Sequence, residues 1–139
     1  MNTELSFIII DDSELDSFLT RKFLKLTYKE VSISSFQNAQ DALDIIGENS
    51  AGNNLTQTII LLDLQMPIMN GFQFVEEFEK LPPEVQKNYK IVVQTVLTAK
   101  NDPNDINSIL KYDAVKSIMQ KPLTTEKLLS LFEQLRSEA

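Results

Sequence analysis

The chain has 139 residues, 42% of them hydrophobic and 24% charged, a balance that suits one globular domain with its own core. A net charge of -7 argues against a nucleic-acid face, which needs clustered cations, and the absence of cysteine and histidine removes disulfides, thiolate and Ser-His catalysis, the usual zinc ligands and any phosphohistidine on this chain. No apolar run approaches the roughly 20 residues of a membrane span, and Met1 to Ser6 lacks signal-peptide order, so a cytoplasmic protein without membrane contact is expected.

The first element is a strand, since Phe7 to Ile10 is an unbroken apolar run of the kind buried on both faces. Leu15, Phe18, Leu19, Phe23 and Leu26 then recur at helical spacing. Val31 to Phe36 is a weaker strand, followed by a helix carrying Ala39, Ala42, Leu43 and Ile46, with Asn38 placed to cap it. Gly47 to Gln57, with its Gly, Asn and Ser residues, reads as a connecting loop. Thr58 to Leu62 is the third strand, and Phe74, Phe78 and Leu81 mark a third helix. Ile91 to Leu97 is the fourth strand, Ile106, Ile109 and Leu110 a helix starting near Asp102-Pro103, and Ala114 to Met119 a weaker fifth strand. Leu128, Leu131, Phe132 and Leu135 close the chain as a helix capped by Thr124 or Thr125. Strict alternation of strand and helix predicts an α/β fold: a five-stranded parallel sheet with five helices on its two faces.

Ligands of such sheets bind outside the carboxyl ends of the strands, where the strand order reverses. Strand one ends in Asp11-Asp12, strand three in Asp63, strand four in Thr98, and strand five runs into Lys121-Pro122. Three clustered carboxylates repel one another and call for a cation, and oxygen-only ligands with open water positions suit Mg²⁺. Phosphoryl transfer needs an in-line nucleophile and positive charge on the equatorial oxygens. Asp63 can be that nucleophile, and the metal, the Lys121 ammonium, the Thr98 hydroxyl and backbone amides can stabilise the transferred group.

The segments Phe7-Ile-Ile-Ile-Asp-Asp-Ser13, Leu61-Leu-Asp-Leu-Gln-Met-Pro-Ile-Met-Asn-Gly71, Leu97-Thr98-Ala99 and Lys121-Pro122, in this order and each at a predicted strand end, strongly resemble the response-regulator receiver family over nearly the whole chain. The resemblance implies a flavodoxin-like strand order of 2-1-3-4-5. It implies phosphorylation of Asp63 by a histidine kinase or histidine phosphotransfer protein, and Mg²⁺ or Mn²⁺ held by Asp12 and Asp63, with Asp11 assisting and Gln65 supplying a backbone carbonyl. Thr98 and Lys121 would contact the phosphoryl group, with Lys121-Pro122 as a cis bond. The receiver pattern uses residues 1–139 and leaves no separate output domain, so signalling is expected through an unknown downstream protein.

Two departures stand out. The family usually carries an aromatic residue three positions before the Lys, and here that position is Ile118, a β-branched side chain with few rotamers. Activation is therefore expected to be reported by the backbone from Ala99 to Asn104 and by the start of the fourth helix. The segment Glu79 to Tyr89, with Pro82-Pro83, is longer than the minimal pattern; it either reshapes a partner surface or lengthens a loop.

Taken alone, Asp11 and Asp12 also suit a turn and a helix cap, Asp63 a strand-ending turn, Thr98 a strand end and Lys121 a solvated surface charge. Pro67 and Gly71 read as structural, shaping the loop and helix start, and Met66, Ile68 and Met69 as packing. A phosphatase of the haloacid-dehalogenase class would share the Asp nucleophile and Mg²⁺, but it needs a second Asp two residues later, where Gln65 stands. The remaining alternative is a receiver-like binding module that is never phosphorylated.

Overall fold

The computed structural model describes residues 5–28, 30–48, 58–64, 69–95, 108–120 and 124–137. The strands are β1 (Leu5–Ile10), β2 (Val31–Phe36), β3 (Thr58–Asp63), β4 (Tyr89–Thr95) and β5 (Val115–Gln120). They form one parallel five-stranded sheet of order β2-β1-β3-β4-β5, as the resemblance implied. The centres of the three inner strands, Phe7 to Ile10, Ile59 to Leu62 and Ile91 to Val93, are apolar because both of their faces are covered. The edge strands β2 and β5 intersperse exposed polar residues with half-buried and buried ones.

The helices are α1 (Glu14–Thr27), α2 (Ala39–Glu48), α3 (Gly71–Phe78), a single turn α4 (Pro83–Gln86) and α5 (Thr125–Ser137). Residues 108–110 are helical and include the predicted Ile109 and Leu110. Side-chain alternation along the strands divides the core in two. Phe7, Ile9, Ile59, Leu61, Val92 and Met119 pack with Leu24 of α1 and Leu128 and Leu131 of α5. Ile8, Ile10, Ile60, Leu62, Ile91 and Val93 pack on the other face with α2, α3, Val85 of α4 and Ile109.

Helix starts follow local chemistry. Asn38 accepts from the Asp41 amide at 2.8 Å and Thr124 Oγ1 from the Lys127 amide at 3.2 Å, the caps foreseen for α2 and α5. Asn70 and Gln73 form a reciprocal capping box at the start of α3. The cap foreseen at Asp102 lies outside the described residues.

The long segment between α3 and β4 is packed rather than loose. Pro83 opens α4, Val85 is buried, and the Gln86 amide donates to the carbonyls of Glu79 and Leu81 at 3.0 and 2.7 Å. It leads directly into β4, where the Asn88 carbonyl accepts from the Thr58 amide at 2.9 Å, so it closes the amino end of the sheet.

One predicted pattern has the opposite sense. Most of the apolar stripe of α1 faces solvent: Phe18 is 60% and Leu26 69% exposed and Leu15 and Leu19 are exposed too, whereas Phe23 is half-buried against the core and the buried positions are Thr20 and Leu24. No helix among the described residues is long and apolar enough to cross a membrane.

Gly71 shows how tightly α3 is set against the end of β3. A Cβ there would lie 2.9 Å from the Leu64 Cα and 3.1 Å from the Asp63 carbonyl oxygen, both backbone atoms that cannot turn aside. Gly71→Ala is expected to destabilise the protein by about 1–3 kcal/mol, the usual cost of overpacking, measured as a lower midpoint in urea.

Candidate functional site

The sheet register assembles the site. Ile10 pairs with Leu62, so Asp11 and Asp63 follow at one level on adjacent strands, beside the point where the order reverses between β1 and β3. Asp63 in turn pairs with Gln94, and Gln94 with Met119. Asp63 and Gln94 continue the alternation of Leu61 and Val92, which places them on the sheet face covered by α1 and α5.

Asp11 is 2% and Asp63 8% exposed, whereas Asp12 stands in solvent. The Asp11 carboxylate accepts from the Ser13 amide at 2.9 Å, which closes a turn, and Ser13 Oγ accepts from the Asp16 amide at 3.2 Å and caps α1. The turn role weighed for the acids thus belongs to Asp11, and the cap role to Ser13. Asp12 takes part in neither bond.

One oxygen from each of Asp11, Asp12 and Asp63 falls within 4.8 Å of the others. At that separation each pair of negative charges repels by about 3–4 kcal/mol at an effective dielectric of about 20. A divalent cation would offset this repulsion, and a hard, oxygen-only donor set suits Mg²⁺ or Mn²⁺.

Of the other predicted site residues, Gln65, Thr98 and Lys121 lie outside the described residues, as do Pro67, Pro122 and the Ala99–Asn104 stretch. Ile118 is half-buried, paired with Val93 and packed against the cluster on the α2–α3 face.

The sequence reading passed over Gln94. It is a polar side chain inside the Ile91 to Leu97 run, 4% exposed, and its Nε2 is buried without a hydrogen-bond partner. Leaving such a donor unsatisfied costs about 1–3 kcal/mol. The interruption of an aliphatic strand by an amide was the available signal. For α1 the signal was weaker, because period alone does not say which of two stripes faces the sheet.

Known proteins are similar to this chain in sequence and fold. A sequence model described as "Response regulator receiver domain" matches residues 7–133. Two-component response regulator 24 of Arabidopsis thaliana is 28% identical over 134 residues, 96% of this chain and 85% of that protein. Hybrid signal transduction histidine kinase A of Dictyostelium discoideum is 29% identical over 124 residues, which cover 87% of this chain and 5% of that much longer protein. Among solved structures, the response regulator receiver protein of Dyadobacter fermentans superposes with a TM-score of 0.80 at 32% identity, over 94% of this chain and 96% of its own. With the family pattern matched from Phe7 to Glu133 and the fold similar over nearly the whole chain, the chain belongs to the response regulator receiver domain family, the phosphoacceptor modules of two-component signalling.

Proposed function

We propose that Asp63 is the phosphoacceptor, loaded by a histidine kinase or histidine phosphotransfer protein in the cytoplasm, and that the phosphorylated domain signals through protein contacts. The observation that carries this reading is the convergence of Asp11, Asp12 and Asp63 within 4.8 Å at the end of the sheet where strand order reverses. The three carboxylates, with the Gln65 backbone carbonyl, would hold Mg²⁺ or Mn²⁺, which when bound supplies positive charge to the phosphoryl oxygens. An Asp63 oxygen attacks phosphorus in line as the bond to the donor breaks, while Lys121 and Thr98 bind the equatorial oxygens. Attack by water on the same phosphorus later returns the Asp63 carboxylate and releases inorganic phosphate. The Ser13 amide, donating to the Asp11 carboxylate at 2.9 Å, helps to orient it.

The exposed α1 stripe supports a protein as the phosphodonor. Leu15, Phe18 and Leu19 lie within two turns of Ser13, which follows Asp12 directly, so an apolar surface begins beside the acids. A partner seated there would bring its own phosphoryl group to Asp63, whereas a small donor needs no such surface.

Acetyl phosphate with Mg²⁺ is expected to label the chain once, and Asp63→Asn to abolish the label; undiminished mass gain in that variant defeats the acceptor assignment. Asp12→Ala should weaken Mg²⁺ binding by at least about tenfold and remove the Mg²⁺-induced rise in melting temperature, read by calorimetric titration and thermal melts. Phe18→Glu is expected to slow transfer from a protein donor by about tenfold or more and leave acetyl phosphate labelling unchanged. Equal loss with both donors counts against the docking role.

A further inference from the structure

We propose that Gln94 is a ligand of the phosphorylated acceptor, its side-chain amide donating a hydrogen bond to the group formed on Asp63. This rests on the phosphoacceptor reading above. Gln94 and Asp63 are Cα partners on adjacent parallel strands, on the same face of the sheet and at its carboxyl rim. Adjacent strands lie about 4.8 Å apart, a gap that the two methylenes and amide of a glutamine span.

Burial makes the assignment specific. Val92 and Val93 precede Gln94 in β4 and are fully covered, and Met119 flanks it on β5, so an aliphatic side chain would fit the position without cost. The chain instead keeps a buried amide whose Nε2 has no partner in the resting form. Buried donors are almost always paired, so one left open beside a reactive carboxylate marks a bond made in another state.

Phosphorylation supplies that state. The donor's bond to phosphorus breaks, a bond from Asp63 to phosphorus forms, and three phosphoryl oxygens arrive as new acceptors one strand away from Gln94. The amide is neutral and exchanges no proton, so Gln94 acts by binding alone. Because the bond exists only after transfer, it favours the phosphorylated form over the resting one and couples β4 to the event at β3.

Beryllofluoride with Mg²⁺, a mimic of the bound phosphoryl group, tests this in the full chain. The near-isosteric Gln94→Met should leave Mg²⁺ affinity and resting stability intact or slightly raised, and weaken beryllofluoride binding about tenfold or more, as expected for a lost hydrogen bond to a charged group. In the wild type, the Gln94 side-chain amide resonances should shift and their hydrogen exchange slow on adding beryllofluoride, a readout independent of whether the variant folds. Unchanged beryllofluoride affinity in Gln94→Met, or amide resonances that do not respond in a wild type that does bind, overturns the role of Gln94 alone. Parallel loss of Mg²⁺ affinity also overturns it, since that marks a distorted site. A wild type that binds Mg²⁺ but never beryllofluoride overturns the phosphoacceptor reading and this inference with it.

Discussion

Repulsion between Asp11 and Asp63 is the constraint around which the rest of the fold is arranged. Two nearly buried carboxylates on adjacent strands, with Asp12 close by, form a cluster that an unsupported chain would spread apart. The parallel ladder prevents this. Strands β1, β3 and β4 bury Phe7, Ile9, Ile10, Ile60, Leu61, Leu62, Ile91 and Val92 almost completely, each contributing about 1.5–3 kcal/mol. A slip of one residue would exchange the side chains that pack with α1 and α5 for those that pack with α2 and α3, and would take Asp11 and Asp63 out of level. The strands beneath the acids hold them at one level by hydrophobic packing, and a bound cation would relieve their mutual repulsion.

The two ends of the sheet carry different loads. At the carboxyl end the backbone is kept close and small: Gly71 donates to the Leu64 carbonyl at 3.1 Å, and the Leu64 amide bonds back to Gln94. At the amino end the chain adds material, with α4, Gln86 and the Tyr89 ring edge-on to Phe78 at 6.0 Å. Helix α3 spans between them. Its first residue presses on the end of β3, while near its other end Glu76 accepts from Tyr112 Oη and Glu79 from the Ala114 amide, just before β5. The lengthened segment thus braces the base of β4 and β5, at the end of the sheet opposite the acids.

Much of this was legible in the amino acids. Fully buried strands show as unbroken apolar runs, and an Asp that follows such a run abruptly, at Asp11 and Asp63, is visible without a structure. β2 was legible to its ends because its apolar positions alternate with serines. What escaped depended on facing and on contacts distant in sequence. The Pro82-Pro83 pair reads as a chain breaker, yet proline is well suited to the first turn of a helix, and α4 forms there. The α1 stripe predicted a helix correctly and the outward orientation of most of it not at all, because Leu24 packs with β1, β3 and α5 through contacts that no local pattern encodes.

Helix α1 therefore has two unlike faces with one common origin. Ser13 caps it, and the Asp11 turn that precedes Ser13 fixes where the helix starts and how it is rotated about its axis. With Leu24 committed to the core, rotation by half a turn sends Leu15, Phe18 and Leu26 outward whatever their hydrophobicity. A monomer gains nothing from exposing such side chains, and burying them on a partner returns the same free energy that a core position would have given. The residues at this turn also belong to, or adjoin, the acid cluster. The exposed apolar side chains at the start of α1 and the acid cluster are for that reason joined by a single short turn, Asp11 to Ser13.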